Sequence, residues 1–96
     1  MRIVSVRHRG LRRFIEADDP SRLPAQFVGK IRNIIAFLQE METVEELGAV
    51  PTWRAHQLTG RRKGDWSLFV SRNWRLTFRI NQTGIEIESL DFEDYH

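Results

Sequence analysis

Residues 74–80 read WRLTFRI, and Trp74, Leu76, Phe78 and Ile80 alternate there with Arg75, Thr77 and Arg79. A period of two puts the four large apolar side chains on one side of a β-strand and the two arginines on the other. A strand of this kind needs a hydrophobic layer against its apolar side and leaves a cationic side facing outward. The rest of the chain supplies the layer.

On either side of this stretch the same period continues. Trp66, Leu68 and Val70 alternate with Ser67, Phe69 and Ser71; "NQTG" at 81–84 supplies a hairpin turn, and "IEIESLDF" at 85–92 reads as the last strand. Before Pro51 the period is helical. Phe27, Ile31, Ile34, Leu38 and Met41 recur at steps of four and three, which describes a long amphipathic helix lying on a core. "LRRFIEA" after Gly10 spaces Leu11, Phe14 and Ile15 as one helical face, and two prolines in "DDPSRLP" separate the two helices. Thr43 and Glu46 form a capping-box pair for a short third helix, "VEEL", that ends at Gly48. "RIVSVRH" at the start is a short β-type run. One α+β domain over residues 1–96 follows, with the N-terminal strand and helices packed on one face of a C-terminal antiparallel sheet.

The open face of that sheet is where function is expected. Thirteen of the fifteen basic residues are arginine, whose planar fork grips phosphate through two hydrogen bonds. Arg75 and Arg79 project from this face, and the glycine-bounded loop "GRRKG" brings Arg61, Arg62 and Lys63 beside the same strands, with Arg72 close by. Acids gather instead at "EMETVEEL" and in the last residues, so the net charge of only +2 hides a segregation suited to a polyanion. A solvated surface would explain the same arginines without any ligand.

Several classes drop out. The chain has no cysteine, hence no disulfide or thiolate chemistry. It has no P-loop, no G-x-G-x-x-G, no G-x-S-x-G and no zinc-ligand spacing, so neither a cofactor nor a metal is expected. No apolar stretch has the length of a membrane span and the start lacks a signal-peptide core, so a cytoplasmic protein is expected.

The chain ends on "EDYH". His56, in "WRAHQLTG", would alone be a structural histidine, and His96 alone a tail. Together with Asp94, Tyr95 and Arg75 they make a set that could cleave RNA through its own 2′-hydroxyl. That reaction needs a base for the hydroxyl proton, a cation for the phosphate oxygens and an acid for the leaving 5′-oxygen. Imidazole can serve as base or acid near neutrality, and arginine suits the phosphate. Asp94 and the α-carboxylate of His96 would favour the charged imidazole of His96.

The pattern H-x-L-x-G, a W-S-hydrophobic strand, N-W-R-hydrophobic-T-F and a closing acidic-D-Y-H resembles the HigB-type toxins of the RelE/ParE superfamily. "RHRGLRRF" and "PAQFVGKI" extend the likeness over nearly the whole chain. The resemblance implies a RelE-like fold and a toxin of a type II toxin–antitoxin system. It implies a ribosome-dependent mRNA endonuclease that cuts the A-site codon and arrests translation. His56, Asp94, Tyr95 and His96 then occupy the catalytic positions, with Arg75 on phosphate. It also implies a cognate helix-turn-helix antitoxin of the HigA type, a complex that represses its own operator DNA, and docking on ribosomal RNA, for which Arg9, Arg12 and Arg13 are candidates. One departure is Thr59, where many relatives carry lysine; Arg61, Arg62 or Lys63 would have to substitute.

Three other readings compete. A ParE-like gyrase inhibitor keeps the fold and needs no nuclease residues. A non-enzymatic RNA-binding module keeps the arginines and makes no cut. A structural reading gives Tyr95 and His96 the task of closing the sheet edge.

Overall fold

The computed structural model describes residues 1–81 and 83–94. Five strands form one sheet: β1 (Arg2–Ile3), β2 (His56–Gln57), β3 (Trp66–Ser71), β4 (Trp74–Ile80) and β5 (Glu86–Asp94), in the order β1-β5-β4-β3-β2. Two helices, α1 (Arg9–Ala17) and α2 (Val28–Glu40), cover one face.

The central strands behave as the alternation requires. Leu68 and Val70 of β3, Leu76 and Phe78 of β4, and Leu90 and Phe92 of β5 are buried against Leu11 and Phe14 of α1 and Ile31, Ile34, Ile35 and Leu38 of α2. Each fully buried side chain of this size contributes about 1.5–3 kcal/mol, which makes this interface the main source of stability. β3 and β4 join through a two-residue turn, Arg72–Asn73, while β4 and β5 join through the turn beginning at Asn81, where the Gly84 N–H reaches the Asn81 carbonyl. Gly84 has φ +75, which only glycine adopts without strain.

Two expectations need adjustment. The stretch "RIVSVRH" is not one continuous strand: only Arg2 and Ile3 pair with β5, and they do so in parallel, with Val6 bridging Leu90 further along. The interruption has a cause in β5. Between Thr77 and Arg79 of β4 the β4–β5 register shifts, and Ser89 takes φ 56 in a bulge whose N–H is met by the Ser5 hydroxyl at 2.7 Å. The sheet is therefore antiparallel except at this edge. The third helix is a 3-10 helix, Val44–Ala49, and the expected capping pair is present: the Glu46 carboxylate accepts from the N–H groups of Thr43 and Glu42, both at 2.7 Å.

α1 starts two residues earlier than Leu11, because His8 acts as its cap. The His8 Nδ1 accepts the Leu11 N–H at 3.1 Å, and its ring meets Phe92 edge-on at 5.7 Å. Gly10 thus lies inside the helix, where the 20–23 loop crosses closely. A Cβ there would stand 2.9 Å from the Arg22 Cβ and 3.0 Å from its carbonyl oxygen. Gly29, in the first turn of α2, has nothing within 4 Å of such a Cβ. Gly10→Ala should therefore lower unfolding free energy by about 1–3 kcal/mol, whereas Gly29→Ala should raise it by about 0.5–1 kcal/mol. Urea melts of the two variants check both signs, and equal effects would contradict the packing described.

Candidate active site

The open face carries odd-numbered residues of β3, of β4 and, past the Ser89 bulge, of β5. Register places His56 opposite Ser67, Ser67 opposite Thr77, and Thr77 opposite Asp91; a second row runs from Phe69 through Arg75 to Glu93. Ser67 and Thr77 are buried although polar, at 2% and 1% exposure, so this face is covered rather than washed by solvent.

The cover is the loop between β2 and β3. Its short 3-10 helix, Gly60–Arg62, lays Arg62 over the sheet, where Nη1 and Nη2 reach the two Glu93 carboxylate oxygens at 2.8 and 2.7 Å. A fork-to-fork pair of this kind is both stronger and more directional than a single contact. The Thr77 hydroxyl donates to the same Glu93 carboxylate, Arg62 Nε reaches Asp65 at 3.2 Å, and Arg79 donates twice to Asp65 at 3.0 and 2.8 Å. The hydrogen bonds from Arg62, then that from Thr77, hold the Glu93 carboxyl below its ordinary range despite partial burial. Arg62 is raised correspondingly, first by its bonds to Glu93.

Beyond this network, towards the free edge at β2, lies a hollow of about 280 Å³ lined by Arg54, His56, Ser67, Phe69, Ser71, Arg72, Trp74 and Arg75. His56 is exposed, and its Nδ1 lies 2.8 Å from the Arg54 carbonyl oxygen. A carbonyl can only accept, so Nδ1 carries the hydrogen and, in the neutral ring, Nε2 presents its lone pair. Trp74 forms an aromatic wall, stacked on Phe92 at 4.6 Å. β5 ends at Asp94, which pairs in register with Trp74, next to the Arg75–Glu93 pair. Asp94 is exposed. Tyr95 and His96 lie outside the described residues.

The expected cations thus separate into groups. Arg75 and Arg72 share the hollow with His56. Arg62 and Arg79 are engaged by Glu93 and Asp65 on the neighbouring part of the face. Arg61 and Lys63 are exposed on the covering loop, as is Thr59 just before it. At α1, Arg9, Arg12, Arg13 and Arg22 line a separate depression of about 240 Å³; Arg12 donates to the Val6 carbonyl and Arg13 to Asp19, both engaged at one end. Sequence reasoning passed over Arg54. Its place two residues before His56 gave no signal, because Arg54 is left-handed at φ 48 and the periodicity of an extended chain does not carry across it. Among the described residues no group of three or more acids or histidines could hold a metal ion, and no helix is long and apolar enough to cross a membrane.

A family model for the RelE-like toxin of type II toxin–antitoxin system HigB matches residues 4–96. The chain belongs to the HigB-like toxin family. It is 38% identical over 96 residues to the endoribonuclease HigB of Proteus vulgaris, covering 98% of this chain and 99% of that protein. Among solved structures, the fold is similar to a YoeB/ParE toxin from Agrobacterium tumefaciens, with TM-score 0.60 at 19% identity over 100% of this chain and 99% of that one. It is also similar to YafQ from E. coli strain BL21(DE3), with TM-score 0.57 at 15% identity, covering 94% and 91%. These similarities agree with the expected RelE-like architecture, and family membership gives the toxin an antitoxin as partner.

The Glu93 network has a pH signature. A carboxyl held low in the folded state stabilises the fold above its unfolded value of about 4.3, and that contribution disappears as pH falls through the folded value. Glu93→Gln should flatten the loss of stability on acidification below about pH 4.3. Chemical denaturation of both proteins across that range measures it, and parallel curves would mean that Glu93 contributes no such linkage.

Proposed function

We propose that this HigB-like toxin is a ribosome-dependent endoribonuclease that cuts mRNA in the ribosomal A site by acid–base catalysis without a metal ion. Translation stops as a result. The observation that carries the reading is the His56 ring: held through Nδ1–H by the Arg54 carbonyl, with Nε2 as its accepting nitrogen, it lines one hollow with Arg54, Arg72 and Arg75. The full-length likeness to an endoribonuclease supports the same conclusion.

In this mechanism His56 Nε2 accepts the proton of a ribose 2′-hydroxyl. The freed oxygen attacks the adjacent phosphorus, and Arg75 and Arg72 stabilise the charge on the non-bridging oxygens. The bond from phosphorus to the 5′-oxygen breaks as an acid delivers a proton to that oxygen, leaving a 2′,3′-cyclic phosphate and a 5′-hydroxyl. No electrons are gained or lost. His96 is assigned as the acid, Asp94 as the group that orients and charges it, and Tyr95 as a stacking or phosphate-positioning group. Arg61 and Lys63 steer the strand towards the hollow. Arg62 and Arg79, already paired, hold the floor.

The remaining partners follow from the same reading: a helix-turn-helix antitoxin of the HigA type, operator DNA bound through the toxin–antitoxin complex, and ribosomal RNA met by Arg9, Arg12 and Arg13. A ParE-like gyrase inhibitor would have no use for an imidazole oriented by the Arg54 carbonyl beside an arginine-lined hollow.

Primer extension on programmed ribosomes with a defined A-site codon tests the proposal. The wild type should give A-site ends, and His56→Ala or His96→Ala should each slow their appearance roughly 10²- to 10⁴-fold, with thermal unfolding of the His56→Ala protein little changed. Undiminished cutting by His56→Ala would remove the base assignment. No cutting by wild type, with inhibited supercoiling in a gyrase assay, would favour the ParE-like activity.

A further inference from the structure

Arg54 is exposed, yet its backbone and its neighbours constrain it. Its backbone takes the left-handed conformation at φ 48, which costs a non-glycine residue about 1–2 kcal/mol. Its guanidinium carbon sits 4.8 Å from the centroid of the Phe69 ring. Lys30 of α2 approaches the same ring, with Nζ 4.9 Å from the centroid, and donates to the Val70 carbonyl at 2.7 Å. Two cations therefore converge on one phenyl group, and among the described residues neither has a carboxylate partner. Their mutual repulsion is felt: burial, then the Arg54 charge, holds the Lys30 ammonium below the ordinary lysine range. Elsewhere on this face the arginines are matched, Arg62 by Glu93 and Arg79 by Asp65. Strain plus like charges beside a hollow is an arrangement that an arriving anion would relieve.

Phe69 pairs in register with Arg75, so Arg54 and Arg75 flank it from opposite sides, the one at the β2 edge and the other on β4. With one phosphate on Arg75 of β4, Arg54 at the β2 edge of the same hollow would be left for a neighbouring linkage of the strand.

We propose that Arg54, backed by Lys30 across Phe69, is a second phosphate-binding residue that holds the RNA linkage adjacent to the one cut, on the His56 side of the hollow. The proposal rests on the endoribonuclease reading and adds to it a defined subsite. The same residue couples binding to chemistry, because its carbonyl fixes the His56 tautomer while its side chain holds the strand. A substrate lacking that neighbouring charge would reach the imidazole poorly aligned.

The test pairs one side chain with one phosphate. On programmed ribosomes, mRNAs of one sequence carry a single uncharged methylphosphonate at successive linkages flanking the cut. Each has a 2′-O-methyl on the preceding ribose, and a phosphate control carries the same 2′-O-methyl. One adjacent replacement should slow wild-type cutting roughly 10- to 100-fold, the scale of a charge-assisted hydrogen bond. Arg54→Gln should lose a similar factor on the unmodified linkage, and the methylphosphonate should cost that variant less than about twofold more, since coupled partners do not add. Arg54→Lys, which keeps the charge, should remain sensitive to the replacement. Wild-type rates for Arg54→Gln, or the same slowing of wild type and Arg54→Gln at every linkage, would overturn the assignment. Wild-type protein that makes no A-site cut on any mRNA would instead fail the endoribonuclease reading itself, and the subsite with it.

Discussion

The pairing of Arg62 with Glu93 organises the open face of the sheet. It ties the loop between β2 and β3 to the far strand β5, across β3 and β4, through two charge-assisted hydrogen bonds of 2.8 and 2.7 Å. That tether buries Ser67 and Thr77, gives the Thr77 hydroxyl an acceptor, and brings Asp65 under Arg79. Acids and bases cancel over this half of the face. On the other half, from Phe69 to the β2 edge, Arg54, Arg72 and Arg75 line the hollow, and Arg54 has no carboxylate partner among the described residues. The location of the hollow is thus a consequence of where Glu93 and Asp65 fall.

β2 shows why the site needs this support. Its two residues, His56 and Gln57, pair only with Ser67 and Trp66, so the strand carrying the imidazole is held by a minimal ladder at a sheet edge. Short edge strands open easily and contribute little alone. The imidazole is fixed from three directions nonetheless: by the pairing with Ser67, by the Arg54 carbonyl on Nδ1, and by Arg54 itself anchored over Phe69. Rigidity comes from side chains of the neighbouring strand rather than from strand length.

Alternation in residues 66–80 was enough to read the sheet, the buried layer and the outward direction of Arg75 and Arg79, because a period of two is a local property. Helix α2 was legible for the same reason. The parallel pairing of β1 was not, since it depends on a bulge at Ser89 that answers to the Ser5 hydroxyl more than eighty residues away. His56 and Arg75 could be nominated by residue type, and the structure does bring them to one hollow. What sequence did not distinguish was which arginines are already satisfied. Arg61, Arg62 and Lys63 look alike in "GRRKG", yet only Arg62 finds Glu93, thirty-one positions on. Arg54 escaped notice because its distinguishing features, a left-handed backbone and an aromatic neighbour on another strand, have no signature in adjacent letters.

Local conflict at a site and consistency elsewhere is the pattern expected when folding and function draw on the same residues. Here the conflict has identifiable components: a non-glycine residue at positive φ, two cations on one ring, and an exposed histidine on a two-residue edge strand. None of them helps the apolar core, which is complete on the opposite face without them. Replacing Arg54 by a neutral side chain would relieve the repulsion at Lys30 but give up the contact with Phe69, so structure alone pulls both ways. In the proposed subsite an anionic strand would tip that balance, because its phosphates would offset the Arg54–Lys30 repulsion while a ribose reaches Nε2 of the imidazole whose Nδ1 the Arg54 carbonyl holds.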